Sequence, residues 1–180
     1  MLIIFEGLDK SGKSMLAKIT KELLDGVLIK KQYADQLNPV NFTEASLYDW
    51  QALLDRVILA NPDMTFVADR SFITQTVYQS LLGSGEHACR AKHIQAYNAY
   101  VETVKRMPHL VVYCESDMAY ELDSMVTSLA VRQRLHQAYK QAIKDTGLKC
   151  IIVHTDRTPL AESIGKIVSV ATSIIKGNEA

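Results

Sequence analysis

Residues 2–14, Leu-Ile-Ile-Phe-Glu-Gly-Leu-Asp-Lys-Ser-Gly-Lys-Ser, constrain this chain more than any other stretch. The apolar run Leu2 to Phe5 breaks into glycines and lysines, and a segment of helical period, Lys13 to Asp25, follows at once. That order reads as a buried strand, a tight loop and a helix N-terminus in succession. Gly7-Leu8-Asp9-Lys10-Ser11-Gly12-Lys13-Ser14 fits G-x-x-x-x-G-K-[ST]. In this pattern a glycine-rich loop turns successive backbone N–H groups into one concavity at the positive end of a helix, a shape that suits a polyphosphate. Lys13 is spaced to reach the β and γ phosphates of ATP, and the Ser14 hydroxyl to ligate a bridging Mg²⁺. Gly7, Asp9, Lys10, Ser11 and Gly12 complete the loop.

The rest of the chain supplies a scaffold for such a loop. Strand-like runs fall at Leu2 to Phe5, Val27 to Gln32, Thr65 to Ala68, Leu110 to Cys114 and Lys149 to His154. Helical periods cover Lys13 to Asp25, Glu44 to Ala60, Phe72 to Leu82, Glu86 to Arg106, Ser128 to Thr146 and Leu160 to Lys176. Gly26 and Gly147 stand where helices should stop, and Pro62 and Pro108 lie between helix and strand. Alternation of this kind predicts βαβ units around a parallel sheet. At 180 residues the chain is read as one domain, residues 1–180.

Charge and cysteine usage narrow the partners. Lys plus Arg and Asp plus Glu are 20 each, so nothing in the global balance calls for a nucleic-acid polymer or an anionic membrane, and small nucleotides are the expected partners. Cys89, Cys114 and Cys150 are odd in number and widely spaced, which reads as free thiols in a reducing compartment, the cytoplasm, or the host cytoplasm for a virus-encoded chain. The N-terminal apolar run is cut short by Glu6, too soon for a signal or membrane segment.

A phosphate loop alone does not separate a kinase from a GTPase or a motor ATPase. Met64 to Arg70, Met-Thr-Phe-Val-Ala-Asp-Arg, is a second apolar run that ends in an acid and a base. In a parallel sheet its end comes to the carboxyl edge beside the loop. There Asp69 can hold Mg²⁺ or orient an attacking oxygen, and Arg70 can grip phosphate. No Asn-Lys-x-Asp guanine reader occurs.

FEGLDKSGKS (5–14) with DRSFITQTVYQ (69–79) resembles the thymidylate kinase group of P-loop deoxynucleoside monophosphate kinases. The resemblance extends to the order of elements along nearly the whole chain. It implies an α/β, P-loop NTPase-type three-layer fold with a five-stranded parallel sheet and helices on both faces. It also implies ATP and Mg²⁺ as cofactors, a homodimer, and phosphorylation of a deoxynucleoside monophosphate, dTMP to dTDP. Carried over residue by residue, Asp9 would accept from the acceptor sugar's 3′-OH and Arg70 would contact the acceptor phosphate. Thr74 stands at the family's Ser, Gln75 where some members contact the base, and Tyr78 where the ring packs on the deoxyribose. Members place a transition-state cation on the phosphate loop or on a lid. Here the lid segment, about 116–134, is acidic up to Thr127, so Lys10 takes that role, with Arg132 and Arg134 as alternates.

The family's Glu-Pro-Gly turn is not found in residues 33–39, and Asp69-Arg70-Ser71 is similar to the Glu-Arg-Ser of deoxynucleoside kinases. A thymidine-type deoxynucleoside kinase and a non-catalytic nucleotide-binding module therefore stand as alternatives. In the segment 44–60, Trp50 is the aromatic placed to stack on a base and Arg56 the cation for base or phosphate. Tyr97, Tyr100, Val101 and Val104 recur at helical spacing and read as core. The five histidines show no ligand spacing, so the only metal expected is Mg²⁺ carried by ATP.

Overall fold

Each of the five apolar runs forms a strand in the computed structural model, which describes residues 1–30, 53–82, 87–117 and 128–177, with side chains of 79–82 and 87–93 left aside. The strands are β1 (Leu2–Glu6), β2 (Val27–Lys30), β3 (Phe66–Asp69), β4 (His109–Glu115) and β5 (Cys150–His154). They lie in the order β2-β3-β1-β4-β5, and every pairing is parallel. The helices are α1 (Lys13–Leu23), α2 (Phe72–Leu82), α3 (His87–Lys105), α4 (Leu129–Thr146) and α5 (Leu160–Ile175).

The sheet is α/β and three-layered because its strands are apolar on both sides. Leu2 and Ile4 point into a cluster with Phe66, Phe72, Val104 and Tyr139, under α2, α3 and α4. Ile3 and Phe5 point the other way, into a cluster with Leu16, Val67, Val112 and Ile167, under α1 and α5. The alternation is the two-residue period of a strand, with both faces covered. The stripe expected on α3 is core: Tyr100, Val101 and Val104 are buried and Tyr97 packs against them.

Ends of elements follow local chemistry. Ser128 caps α4, its Oγ accepting from the Val131 N–H at 3.3 Å, and Gly147 closes the helix in the left-handed region at φ 63°. Gly26 departs from expectation. The left-handed residue after α1 is Asp25, φ 45°, while Gly26 is needed for close approach, since a Cβ there would lie 2.9 Å from the Thr65 carbonyl oxygen. Of the predicted helix 44–60 the structure describes only 53–60, where Leu54–Ile58 is π-helical, with Leu59 N–H donating to the Leu54 carbonyl at 2.9 Å.

Because all strands run the same way, their carboxyl ends share one edge. Phe5 pairs with Asp69 on one side of β1 and Glu6 with Tyr113 on the other. The loop from Gly7 to Gly12 therefore leaves the sheet between the ends of β3 and β4. A βαβ sheet puts ligand sites at such an edge.

The two faces of α1 give a stability test. Leu16 is 1% exposed and its neighbour Met15 is 50% exposed. Leu16→Ala should cost about 2–5 kcal/mol, and Met15→Ala no more than about 0.5 kcal/mol, read as shifts in the urea unfolding midpoint at constant slope. Equal costs would contradict the placement of α1 on the sheet.

Candidate active site

The loop after β1 holds its shape through three residues at positive φ: Gly7 at 144°, Lys10 at 61° and Gly12 at 75°. At Gly7 any side chain is excluded, since a Cβ would lie 2.4 Å from the Cys114 carbonyl oxygen and 2.9 Å from Ser11 Oγ. Gly12 is the N-cap of α1 and offers no side chain to the helix N–H groups. Met15 and Leu16 N–H turn back to the Gly12 carbonyl at 3.1 Å. The first turn of α1 contains no acid. Its positive end is thus uncompensated by any side-chain cap and faces the loop, the arrangement that binds anions.

Lys13 follows at the first position of α1. It is buried, and its Nζ donates to the Leu8 carbonyl at 3.0 Å and lies 3.7 Å from the Asp9 carboxylate. Burial lowers its pKa, the Arg70 guanidinium lowers it further, and Asp9 and Asp69 oppose both.

Arg70 enters from the other side. Its N–H donates to the Phe5 carbonyl at 3.0 Å, extending the β1–β3 ladder by one residue, while φ 75° turns the chain out of the sheet. A left-handed arginine costs on the order of 1–3 kcal/mol and persists only where its surroundings hold it. Those surroundings are charged and aromatic. Nη2 donates to Asp9 Oδ1, Nη1 lies 3.5 Å from the Tyr139 hydroxyl, and Cζ sits 6.0 Å from the centre of the Tyr78 ring. Burial alone would lower the Arg70 pKa, but Tyr139, Asp9, Tyr78 and Glu6 together raise it above the usual arginine value. The Tyr78 hydroxyl also reaches Asp9, at 3.4 Å to Oδ2. Asp9 is therefore the meeting point of Lys13, from the phosphate loop, and of Arg70 and Tyr78, both from residues 69–79.

Other expected residues fall at varying distance from that point. Asp69 is buried at the end of β3, and its Oδ1 has no hydrogen-bond partner among the described residues. An orphaned buried carboxylate oxygen beside a phosphate loop fits a Mg²⁺ ion or one of its waters, and Ser14, half-buried on the first turn of α1, fits the ion's hydroxyl ligand. Ser11 Oγ is likewise buried and unpartnered among the described residues. Lys10 is exposed. Thr74 and Gln75 are buried. Arg56 is exposed on the π-helical segment, outside the cluster around Asp9. Trp50 lies outside the described residues, as do 118–127 of the lid segment. Of its arginines, Arg134 is exposed, whereas Arg132 is buried with Nη2 3.4 Å from the Ser116 carbonyl. Cys114, beneath the loop, is free and buried, its pKa pushed up to about 12 chiefly by burial.

The sequence reading also passed over residues packed around this edge. Glu6 is fully buried at the end of β1. Ser71 donates to its Oε1 and Thr74 to its Oε2, and the Ser71 oxygen also accepts from Ile73 N–H at 3.1 Å, at the start of α2. Burial raises the Glu6 pKa, and the Ser71 and Thr74 hydroxyls, then Arg70, counter it. The available signal was an acid continuing an apolar run, which a buried strand tolerates only with partners. Thr155 lies against the loop, 3.6 Å from where a Cβ on Gly12 would sit, and its N–H donates to the Glu115 carbonyl at 2.9 Å. Asp156 accepts from the Asp117 N–H at 2.6 Å, tying the β5–α5 connection to the end of β4.

Comparisons with known proteins bear on the fold. No protein-family model matches the chain, and no curated protein matches it in sequence. Solved structures do. YorR from Bacillus subtilis, in complex with phosphorylated GDP, superposes with a TM-score of 0.72 at 17% identity, over 100% of this chain and 99% of that one. Thymidylate kinase from Ehrlichia chaffeensis gives 0.66 at 14% identity, over 96% and 98%. Deoxyadenosine kinase from M. mycoides, with dCMP and dCDP bound, gives 0.65 at 15%, over 96% and 100%. At such identities the likeness establishes architecture: the chain has the fold of YorR and of these two kinases.

Proposed function

We propose that the chain transfers the terminal phosphoryl group of ATP to a deoxynucleoside monophosphate, with dTMP as the first acceptor to test. The observation that carries this reading is the convergence of Lys13 and Arg70, one from each motif, on Asp9 at the carboxyl edge of the sheet. Two cations so close and so buried repel each other unless an anion lies between them. Asp9 supplies part of that charge, and phosphate groups would supply the rest.

The roles follow from the placement. The backbone from Gly7 to Ser14, with the N-terminus of α1, would cradle the phosphates of ATP. Lys13 would neutralise the phosphates on that side, and Lys10, exposed on the same loop, would add the charge that the acidic lid does not provide. Arg70, with its planar fork, would take the acceptor's phosphate. Asp9, relieved of Arg70, would accept from a sugar hydroxyl, with Tyr78 beside it. When bound, Mg²⁺ would neutralise charge on the transferring group, held through Asp69 and Ser14. Such a reaction asks for positioning and charge balance and for little covalent chemistry from the protein.

A second reading has its own support. Asp69 Oδ1, which has no hydrogen-bond partner among the described residues and lies beside Arg70-Ser71, could take the proton of a 5′-hydroxyl, which favours a deoxynucleoside kinase. One assay separates the two. With ATP and Mg²⁺, the first reading expects dTMP to be converted to dTDP and thymidine to be left unchanged; the second expects the reverse. A chain that gains thermal stability from ATP but forms no product from either acceptor would be a nucleotide-binding module instead.

On the phosphotransfer reading, Lys13→Ala should lower kcat by about 10²–10³-fold while the chain stays folded by circular dichroism. Lys10→Ala should lower kcat by about tenfold without moving the unfolding midpoint, since an exposed side chain contributes little to stability. Full activity in Lys13→Ala would remove the basis for the assignment.

A further inference from the structure

We propose that Tyr139 is a positioning residue for Arg70, at the head of a one-directional hydrogen-bond chain that ends on Glu6; this rests on the phosphotransfer reading. Tyr139 belongs to α4, far in sequence from both phosphate motifs, and is 0% exposed. Its ring packs edge-on to Tyr78, centroids 6.4 Å apart, and against Tyr113 at 5.9 Å. Such a position would suit a phenylalanine. Instead the hydroxyl sits 2.9 Å from Thr74 Oγ1 and 3.5 Å from Arg70 Nη1.

The direction of the chain follows from counting hydrogens. With Glu6 in its carboxylate form, which only accepts, one hydrogen comes from Ser71 on Oε1 and one from Thr74 on Oε2. Thr74 has then spent its single hydrogen, and the contact with Tyr139 requires the tyrosine to donate. The Tyr139 oxygen is left with lone pairs for Arg70, whose guanidinium carries five donors and no acceptor. The order is therefore Arg70 to Tyr139 to Thr74 to Glu6, each link donating to the next. Every member below Arg70 is buried, and in such surroundings a fully satisfied network holds its members in one geometry.

That geometry bears on the arginine's task. Nη2 is on Asp9 and Nη1 faces Tyr139. A phosphate that draws Nη2 away from Asp9 leaves Nη1 on the tyrosine, so the guanidinium plane keeps its orientation as the acceptor arrives. Thr74 thereby acts through Tyr139 and Arg70, since its hydroxyl is already committed on both sides.

Steady-state kinetics of Tyr139→Phe test this. The variant keeps the ring and loses only the oxygen. Its KM for the acceptor should rise about tenfold or more, as expected for losing a hydrogen bond to a charged group, while its KM for ATP stays within twofold of wild type. Thr74→Val should show the same acceptor-selective defect one link lower, and Thr74→Ser should restore wild-type values. A purely structural role would lower the unfolding midpoint and leave the ratio of the two KM values alone. The proposal is overturned if folded Tyr139→Phe has an unchanged acceptor KM, or if both KM values rise together. Should Tyr139→Phe fail to fold, the Thr74→Val and Thr74→Ser pair decides by the same criterion. Wild-type protein that phosphorylates no acceptor overturns the phosphotransfer reading and this assignment together; wild-type turnover with indifferent variants overturns only the assignment.

Discussion

The site depends on one electrostatic constraint: Lys13 and Arg70 are both largely withdrawn from water, and each lowers the other's tolerance for charge. Burial is the larger cause of the depressed Lys13 pKa and Arg70 the second. Arg70 keeps its proton because Tyr139, Asp9, Tyr78 and Glu6 outweigh its burial. Among the described residues Asp9 is the one carboxylate that touches both cations, and it is half-buried on a loop whose backbone is bent by three residues at positive φ. Asp69 and Glu6 act on the same cations from the strand ends, so the charges at this edge are closely interdependent, and an anion arriving at Lys13 and Arg70 alters the balance of all of them.

Everything around that pair serves to fix it. Parallel pairing brings the ends of β1 and β3 into register, so the two motifs, more than 50 residues apart in sequence, meet without any long-range search beyond forming the sheet. The strained backbone at Arg70 is held from below by its N–H on the β1 carbonyl and from the side by Ser71, which is itself anchored to Glu6. Glu6 carries a cost in return. Its folded pKa lies above the ordinary carboxylate value, so the native state binds this proton more readily than the unfolded chain does. By linkage its contribution to stability falls as pH rises upward from about 4.5, until the folded pKa is passed. The same buried acid gathers Ser71 and Thr74, and through Thr74 the Tyr139 hydroxyl, into one network.

Much of this was legible in the sequence, and the reason is locality. A glycine-rich loop between an apolar run and a helical period announces its geometry in eight residues, and Tyr100, Val101 and Val104 announce their buried face by period alone. Strand ends such as Phe66 and Glu115 differ from expectation by one residue, because ladder pairing and not propensity decides where a strand stops; the expected end of the second strand, at Gln32, lies outside the described residues. The strand order β2-β3-β1-β4-β5 could not be read, since nothing local encodes which apolar run lies beside which. Gly26 was recognised as a punctuating residue but for the wrong cause: a helix stop was expected, and the close passage of the Thr65 carbonyl is what excludes a side chain.

The residues missed share a different property. Glu6, Thr155 and Tyr139 gain their roles only from partners distant in sequence: Glu6 from residues 65 and 68 positions away, Thr155 from one 40 away, Tyr139 from residues 65 and 69 away. Viewed alone, Tyr139 is one more apolar position on an amphipathic helix, and period assigns it to the core, where it does lie. The hydroxyl is the part that period cannot explain. A buried polar atom must find a partner or lose roughly 1–3 kcal/mol, so a tyrosine at a position that packing would grant to phenylalanine is itself a sign of a distant partner. Here the partners are Thr74 and the arginine that faces the phosphate loop, and α4 is thereby joined to the site by chemistry as well as by packing.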